Sequence, residues 1–365
     1  MTKAANPATI VANSRHNGFP GLTALPGGNL LAAWKDSGAH GPAGDGILAQ
    51  SISADGGITW STPTTMQPVA DGLECGDVGL WTRANGPRAG ETMAAFSRRG
   101  SGVVSGWKLH TSDPTAGWSG LEQIGTALFP TWGVASNRPV ELADGTLLVS
   151  LYGFETSVTY SSGYFTTEDK QSAYVFSCAP NSASFGSPVK VADGVADGVN
   201  YQEPELVVLD NGDVLCVMRS DSTRSFFRST STDGGQTWGP IISMSSQLGG
   251  VSGRPDLCQM ASGRLILVHR PSGYDNMACY VVSTDRGVTW SRPGIIDRVG
   301  NGGSAPGAVG WYAYSQMVEV APDVVGIVYS LETQGDPNAE PTNTIGNIAH
   351  LFFTYLSLDG VPRLV

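Results

Sequence analysis

Short apolar runs recur along the whole chain, each closed off by glycine, proline or a charged turn. Leu30–Trp34 (LLAAW), Thr146–Gly153 (TLLVSLYG) and Arg264–Arg270 (RLILVHR) are examples. Runs of this length bounded by turn residues predict strands, and no 3.6-residue apolar period persists long enough to predict a long helix. The runs also come in pairs: an apolar strand, a glycine turn, a second apolar strand. FPGLTALPGGNLLAAW, RPVELADGTLLVSLYG, EPELVVLDNGDVLCVMR, RPDLCQMASGRLILVHR and YSQMVEVAPDVVGIVYS share that layout, and VGLWTRANGPRAGETMAAF repeats it with a longer turn.

A second repeat lies on top of the first. Ser53–Trp60, Ser231–Trp238 and Ser283–Trp290 all fit S-x-D-x-G-x-T-W, the Asp-box, and Thr111–Trp118 keeps the Asp-to-Trp spacing without the glycine. The motif is a local device. Aspartate accepts backbone N–H groups of the turn, glycine takes the strained dihedrals, and tryptophan packs on a neighbour. From Asp55 to Asp113 is 58 residues, from Asp113 to Asp233 is 120 (two units of 60), and from Asp233 to Asp285 is 52. Units of that size predict four-stranded blades. The expected fold is an all-β six-bladed β-propeller filling one domain over residues 1–365. Its blades fall at 17–68, 75–127, 133–192, 198–245, 250–297 and 306–365, and a strand near Ala8–Asn13 completes the last one so that no sheet edge is left open.

Composition narrows the partners. Glycine (48) and proline (22) are abundant, only 15% of residues are charged, and the net charge is −11. An acidic chain lacks the basic face that nucleic acid requires. No apolar run approaches a membrane span, so a soluble protein is expected. The N-terminus lacks the layout of a secretory signal, which leaves a secreted protein with its leader removed, a phage-borne protein or a cytoplasmic one. Cysteines 75, 178, 216, 258 and 279 show no CxxC spacing, and Cys216 and Cys258 sit in apolar runs as small hydrophobes. The histidines form no HxH or HExxH pattern, so neither a metal nor a cofactor is expected; the oligomeric state is left open.

Asp-boxes on six blades resemble the sialidase (neuraminidase) superfamily over essentially the whole chain. The resemblance implies a central pocket with a Tyr–Glu nucleophile pair, an Asp acid/base and three arginines on a substrate carboxylate. YQEPELVVLDNGDVLCVMR is similar to the segment holding the family's Glu and second Arg, which places Glu203 and Arg219 there. WYAYSQMVEV is similar to the Tyr-Ser segment, which places Tyr314 at the nucleophile. Asp45 lies nearest the expected acid, with Asp36 as rival and Glu74 and Asp77 as further candidates. The pattern then departs. Gly18-Phe19-Pro20 replaces Arg-Ile-Pro, with Arg15 three residues too early. Ser330 stands where the Glu that steadies that arginine would follow Val328-Tyr329, and MACYVVSTDRG lacks the third arginine.

Other side chains are aligned on the rim. Lys35, Tyr152, Arg219 and Arg270 occupy equivalent places after second strands. Arg138, Glu205 and Asp256 are equivalent on inner strands, as are Glu203, Arg254 and Tyr314 two residues earlier. Alternate residues share a face, so both sets can point to the axis. Arginines and acids there suit sugar hydroxyls or uronates, while Arg138, Glu205 and Asp256 can equally form structural ion pairs between blades. Trp81, Trp132, Tyr201, Trp311 and Tyr312 are candidate stacking faces or blade packing. The expected function is a glycoside hydrolase acting on a complex glycan or polysaccharide, sialidase-like or arabinanase-like, with a non-sialic substrate expected. The alternatives are a uronate-cleaving polysaccharide lyase and a non-catalytic glycan-binding propeller.

Overall fold

A computed structural model describes residues 7–125, 128–161, 164–165, 169–273, 277–298, 310–333 and 348–358. The chain is all-β, with two single-turn helices at Gly194–Asp197 and Ser245–Leu248. Among the described residues no helix is long and apolar enough to cross a membrane. The strands form antiparallel units in chain order. The first comprises His16–Ala24, Leu30–Ser37, Ile47–Ser53 and Thr64–Gln67; the second Glu74–Thr82, Thr92–Gly100, Val103–Thr111 and Ser119–Ile124. The third splits its first strand into Gly133–Val134 and Val140–Glu141, then continues with Leu147–Gly153, Ser172–Cys178 and Pro188–Ala192. The fourth runs Gln202–Val208, Val214–Ser220, Ser225–Ser231 and Ile242–Ser243, and the fifth Val251–Gln259, Leu265–Pro271, Met277–Ser283 and Gly294–Arg298. The sixth is Gly310–Ala321, Val324–Thr333 and Ile348–Ser357, and Ala8–Val11 lies antiparallel on its last strand.

The unbroken apolar runs have a simple cause: both faces of each unit are covered. Leu31 and Ala33 pack against Val78 and Leu80 of the second unit, whereas Leu30, Ala32 and Trp34 pack against Val328 and Phe353 of the sixth. In the fourth unit Val214, Cys216 and Met218 face the third, and Leu215 and Val217 face the fifth. Strand alternation that would leave one polar face in an exposed sheet is therefore apolar throughout. A hydrophobic seam joins each unit to the next, and the seam between sixth and first completes the series. Each fully buried Leu or Phe in a seam contributes roughly 2 kcal/mol.

The three full S-x-D-x-G-x-T-W segments fold into the same turn. Asp55 Oδ1 accepts from Thr59 N–H at 2.8 Å and from Ser53 Oγ at 2.8 Å, and Asp233 and Asp285 repeat both contacts. Gly57 has φ of +102°, and a Cβ there would lie 2.2 Å from the Phe353 ring, so glycine serves both the turn and the close packing. Trp60 stacks edge-on against Phe353 at 5.4 Å.

Where the first strands of the units meet, two arginines bind backbone carbonyls, and one of them also pairs with a glutamate. Arg254 donates to the carbonyls of Ser136, Pro20 (3.2 Å) and Ser315 (2.9 Å), on the third, first and sixth units. Arg138 donates to the carbonyls of Met317 and Leu257, and its Nε lies 3.4 Å from Glu205 Oε1. Asp256 accepts from Ser315 Oγ at 3.0 Å. All four charged side chains are buried, so Arg138, Arg254, Glu205 and Asp256, aligned from the sequence as substrate contacts, are packed into the inter-unit core.

Two expectations follow. A Cβ on Gly79 would sit 2.3 Å from Asn137 C and Arg138 N, backbone atoms of the next unit. Gly79→Ala should therefore wedge the second and third units apart and cost about 3 kcal/mol, read as a lowered midpoint in denaturant unfolding. An unchanged midpoint would contradict that close approach. Burial pushes the Glu205 carboxyl up to about 8, with Arg138 opposing and Asp256 adding. Its folded value lies above an unfolded one near about 4.3, so the native state loses stability as pH climbs between the two. Glu205→Gln cannot ionise, and its melting temperature relative to wild type should rise between pH 5.5 and pH 8.5. A pH-independent difference would mean that Glu205 is ionised throughout.

Candidate functional site

The inner strands of five units bulge at one level. The register slips between Gly18 and Gly21, Cys75 and Val78, Gln202 and Glu205, Ser252 and Asp256, and Tyr312 and Ser315. Just before each slip, the residues opposite are Lys35, Arg98, Arg219, Arg270 and Leu331. Bulges re-aim side chains, and here they turn those of successive units toward one end of the stack. Phe19 and Glu203, the first extra residues of their bulges, hold left-handed φ values of 56° and 49°. A non-glycine residue in that region costs on the order of 1 kcal/mol and persists only where its surroundings hold it.

Glu203 is held firmly. Its Oε2 accepts from Arg219 Nε at 2.5 Å, and Asn137 Nδ2 donates to its carbonyl at 3.0 Å. Arg219 is half-buried, and its terminal N–H groups have no partner among the described residues. Tyr314 comes from the sixth unit. The Phe19 ring lies 4.5 Å from it, centroid to centroid, and the Arg254 guanidinium sits 5.3 Å over its face. Burial raises the Tyr314 phenol well above its usual value; the Glu203 carboxylate adds to this, and Arg219 opposes it. Tyr152 is raised likewise by burial, then by Glu203 and Asp77. Asp77, from the second unit's bulge, accepts from Arg99 at 2.9 Å and Ser97 Oγ at 3.1 Å. Carboxylates, phenols and one arginine with unused donors thus share a single field.

The ladder corrects one alignment. Glu205, Asp256 and Ser315 stand at equivalent rungs, opposite Val217, Val268 and Tyr329. Tyr314 is therefore one residue out of step with Glu203 and Arg254, and it reaches their level because it is the second residue of a bulge.

Several other residues expected at the pocket have different partners. Lys35 is fully buried and donates to the carbonyls of Ala39, His40 and Gly41 at 3.2, 3.0 and 2.8 Å, pinning the loop that follows. Burial lowers its ammonium to about 8. Asp36 and Asp45 both pair with Arg15, the latter at 3.0 Å. Asp45 also accepts from Gly38 N–H at 2.8 Å, and that bond first, then Arg15, lowers its carboxyl. A lowered carboxyl is a poor proton donor. Tyr201 is buried, bonded to Asp197 Oδ2 at 2.8 Å and edge-on to Phe227. Tyr312 stacks on Tyr329 at 5.3 Å inside the seam between fifth and sixth units. Arg270 donates to Ser252 Oγ at 2.9 Å and the Tyr312 carbonyl at 3.1 Å. The Trp311 side chain lies outside the described residues.

One cluster has no counterpart among the sequence-based candidates. His16 Nε2 and His40 Nδ1 lie 3.1 and 2.9 Å from the same oxygen, Glu332 Oε1. Their polar atoms all lie within 4.8 Å of one another, a donor set a divalent cation would accept. The contact lengths fit two ring N–H groups donating to one shared carboxylate oxygen. Burial alone would raise Glu332, but His40 and His16 pull it down to about 2. No local spacing marks this cluster, since His16 and Glu332 are 316 residues apart. One signal was present: Glu332 is two residues beyond Ser330, on the same strand face as the position where the resemblance called for a glutamate.

The fold and these residues can be set beside known proteins. A protein of unknown function from Dyadobacter fermentans superposes with a TM-score of 0.73 at 15% identity, covering 97% of this chain and 98% of that one. The leech intramolecular trans-sialidase complexed with 2,7-anhydro-Neu5Ac gives 0.70 at 14% identity, covering 98% of this chain and 71% of that one. The Penicillium chrysogenum α-L-arabinanase complexed with arabinobiose gives 0.65 at 13% identity, over 99% and 100%. A search among curated proteins found no match. The family model described as a BNR repeat-like domain matches residues 28–325. The chain belongs to that BNR repeat-like family and is sialidase-like in fold.

Proposed function

We propose that the six units are the blades of one closed β-propeller domain, and that the chain is a glycoside hydrolase acting on a complex glycan or polysaccharide. The observation that carries this is the convergence of Glu203, Arg219 and Tyr314 at the bulged end of the blades, with Glu203 kept in a left-handed backbone by its partners. A half-buried phenol with a raised pKa is a neutral nucleophile in need of a base, and Glu203 is the charge that acts on it most strongly. Proton transfer from Tyr314 to Glu203 lets the phenolate oxygen attack an anomeric carbon without bringing a permanent anion against developing positive charge. Arg219 keeps Glu203 in place and offers its terminal N–H groups to a sugar oxygen or carboxylate.

The substrate is a non-sialic glycan. A three-arginine clamp would need cations at three blades. Here Phe19 stands at the first position, and Arg254 is consumed by backbone carbonyls. Arg219 is left as the cation with donors to give. One arginine suits a neutral sugar or a single uronate better than the fixed carboxylate of sialic acid. The arabinanase likeness supports the same direction at the level of fold.

The test is hydrolysis across a panel of sialosides, arabinans and uronate-containing polysaccharides. Glu203→Gln and Tyr314→Phe should each lower kcat/KM on the cleaved substrate by roughly 10²–10⁴-fold while melting with wild-type cooperativity. Undiminished hydrolysis in both variants would sink the assignment. Tight binding of an oligosaccharide left intact by wild type over long incubation would favour a binding propeller.

A further inference from the structure

The loop after the second strand of the first unit carries both expected acids, Asp36 at its start and Asp45 near its end, and Arg15 holds both. The same loop turns His40 inward. Its ring packs 4.8 Å from Phe19 and lies 6.1 Å from Tyr314 at an interplanar angle of 32°. Glu332 Oε1 is an ionised, buried acceptor, so the two ring nitrogens that meet it carry protons: His40 Nδ1 and His16 Nε2. Committing Nδ1–H leaves His40 Nε2 as the nitrogen that exchanges protons. Nε2 has no partner among the described residues, and the side chain keeps 19% of its surface exposed. His16 differs in the respect that matters. Its ring is fully buried and its Nδ1 has no partner, so it braces Glu332 and cannot meet a substrate.

We propose that His40, oriented by Glu332, is the proton donor and acceptor of this site, an inference that rests on the hydrolase reading above. In the first step Tyr314 Oη attacks the anomeric carbon and gives its proton to Glu203. The glycosidic C–O bond breaks, its electron pair goes to the leaving oxygen, and that oxygen takes the Nε2 proton of the His40 imidazolium. In the second step neutral His40 Nε2 takes a proton from water. The water oxygen bonds to the anomeric carbon, the C–O bond to Tyr314 breaks, and the phenolate recovers its proton from Glu203. Tyr314 and Glu203 return to their starting states, and His40 again carries the Nε2 proton. His40 is the catalytic residue; Glu332 and His16 are positioning residues. The titratable groups packed around the ring are Glu332 and His16 beside it, Tyr314 across the pocket, and Lys35, whose Nζ binds the His40 carbonyl.

A general acid is dispensable when the leaving group needs no proton, and that separates this role from a structural one. His40→Asn and His40→Gln should lower kcat/KM for the natural linkage by roughly 10²–10⁴-fold. They should lower it less than about tenfold for an aryl glycoside of the same sugar with an acidic phenol as leaving group. Glu332→Gln should lower kcat/KM on the natural linkage more than on the aryl glycoside, because His40 loses the acceptor that fixes its Nδ1–H. Equal losses on both substrates in both folded His40 variants would overturn the proposal. So would leaving-group dependence in Asp45→Asn in place of His40→Asn; in that case the hydrolase reading would stand. One equivalent of tightly bound metal whose chelation abolishes activity would overturn it too. A wild type that cleaves no glycan defeats the hydrolase reading itself, and this role with it.

Discussion

Six antiparallel units packed in series, the last against the first, create a problem that strand pairing cannot solve. Apart from the parallel pairing of His16 with Ala349 of the sixth unit, the first strand of each unit pairs with its own second strand only, and its remaining carbonyls need other partners. Arg138 and Arg254 answer this with planar donors that reach several units at once: Met317 and Leu257 for one, Ser136, Pro20 and Ser315 for the other. A buried guanidinium is costly unless its donors are met, and here backbone carbonyls meet them, with Glu205 3.4 Å from Arg138 and Asp256 held by Ser315. Gln316 does the same work without charge, its Oε1 accepting from Leu22 and Leu80 on the first two units at 2.6 and 3.2 Å. Hydrophobic seams give the units cohesion, while these polar ties set how closely they approach.

The site is built on that same knot. Arg254, spent on three carbonyls, presents its face to the Tyr314 ring, so one guanidinium both ties the units and supports the candidate nucleophile. Each tie lies beside a bulge. Pro20, whose carbonyl Arg254 binds, follows the left-handed Phe19; Pro204, whose carbonyl accepts from Asn137 and Ser150, follows the left-handed Glu203. The strained residue is thus fixed from behind by backbone hydrogen bonds in units that cannot shift independently. That is how an energetically unfavourable φ at Glu203 is maintained, and why the carboxylate has a defined direction.

How much of this could be read from sequence follows from the range of each interaction. The S-x-D-x-G-x-T-W turns close within eight residues, so their hydrogen bonds were legible without the rest of the molecule. Glu203 and Arg219 lie on the paired first and second strands of one unit, Arg219 opposite Gln202, and their meeting follows from the turn between those strands. Tyr314 was legible by type but not by register, because a bulge shifts the count by one and leaves no mark in composition. Arg138, Arg254, Glu205 and Asp256 were read from strand alternation as sharing a face, and all four are buried. Alternation says which way a side chain points, though not whether sugar or backbone waits there. The His16–His40–Glu332 cluster was invisible for a further reason: its members meet only because the last unit packs on the first.

That junction is also where the chain departs most from the sialidase pattern. An arginine at the first unit and a glutamate at the sixth would form a permanent ion pair whose cation is offered to the substrate. Here the aromatic ring of Phe19 takes the arginine's place, and the glutamate reappears two residues later, tied to two imidazoles. The two arrangements differ in kind. A guanidinium holds its charge at every working pH and so commits the site to anions. An imidazole beside a carboxylate can be charged or neutral near neutral pH, and it can pass the difference to a bound oxygen. Substituting one for the other takes away a fixed electrostatic anchor and adds a proton-transfer group at the same wall of the pocket. The missing arginine, the misplaced glutamate and the two acids held by Arg15 then have one explanation under the proposed mechanism: proton handling in place of anion recognition at the junction of the first and sixth units.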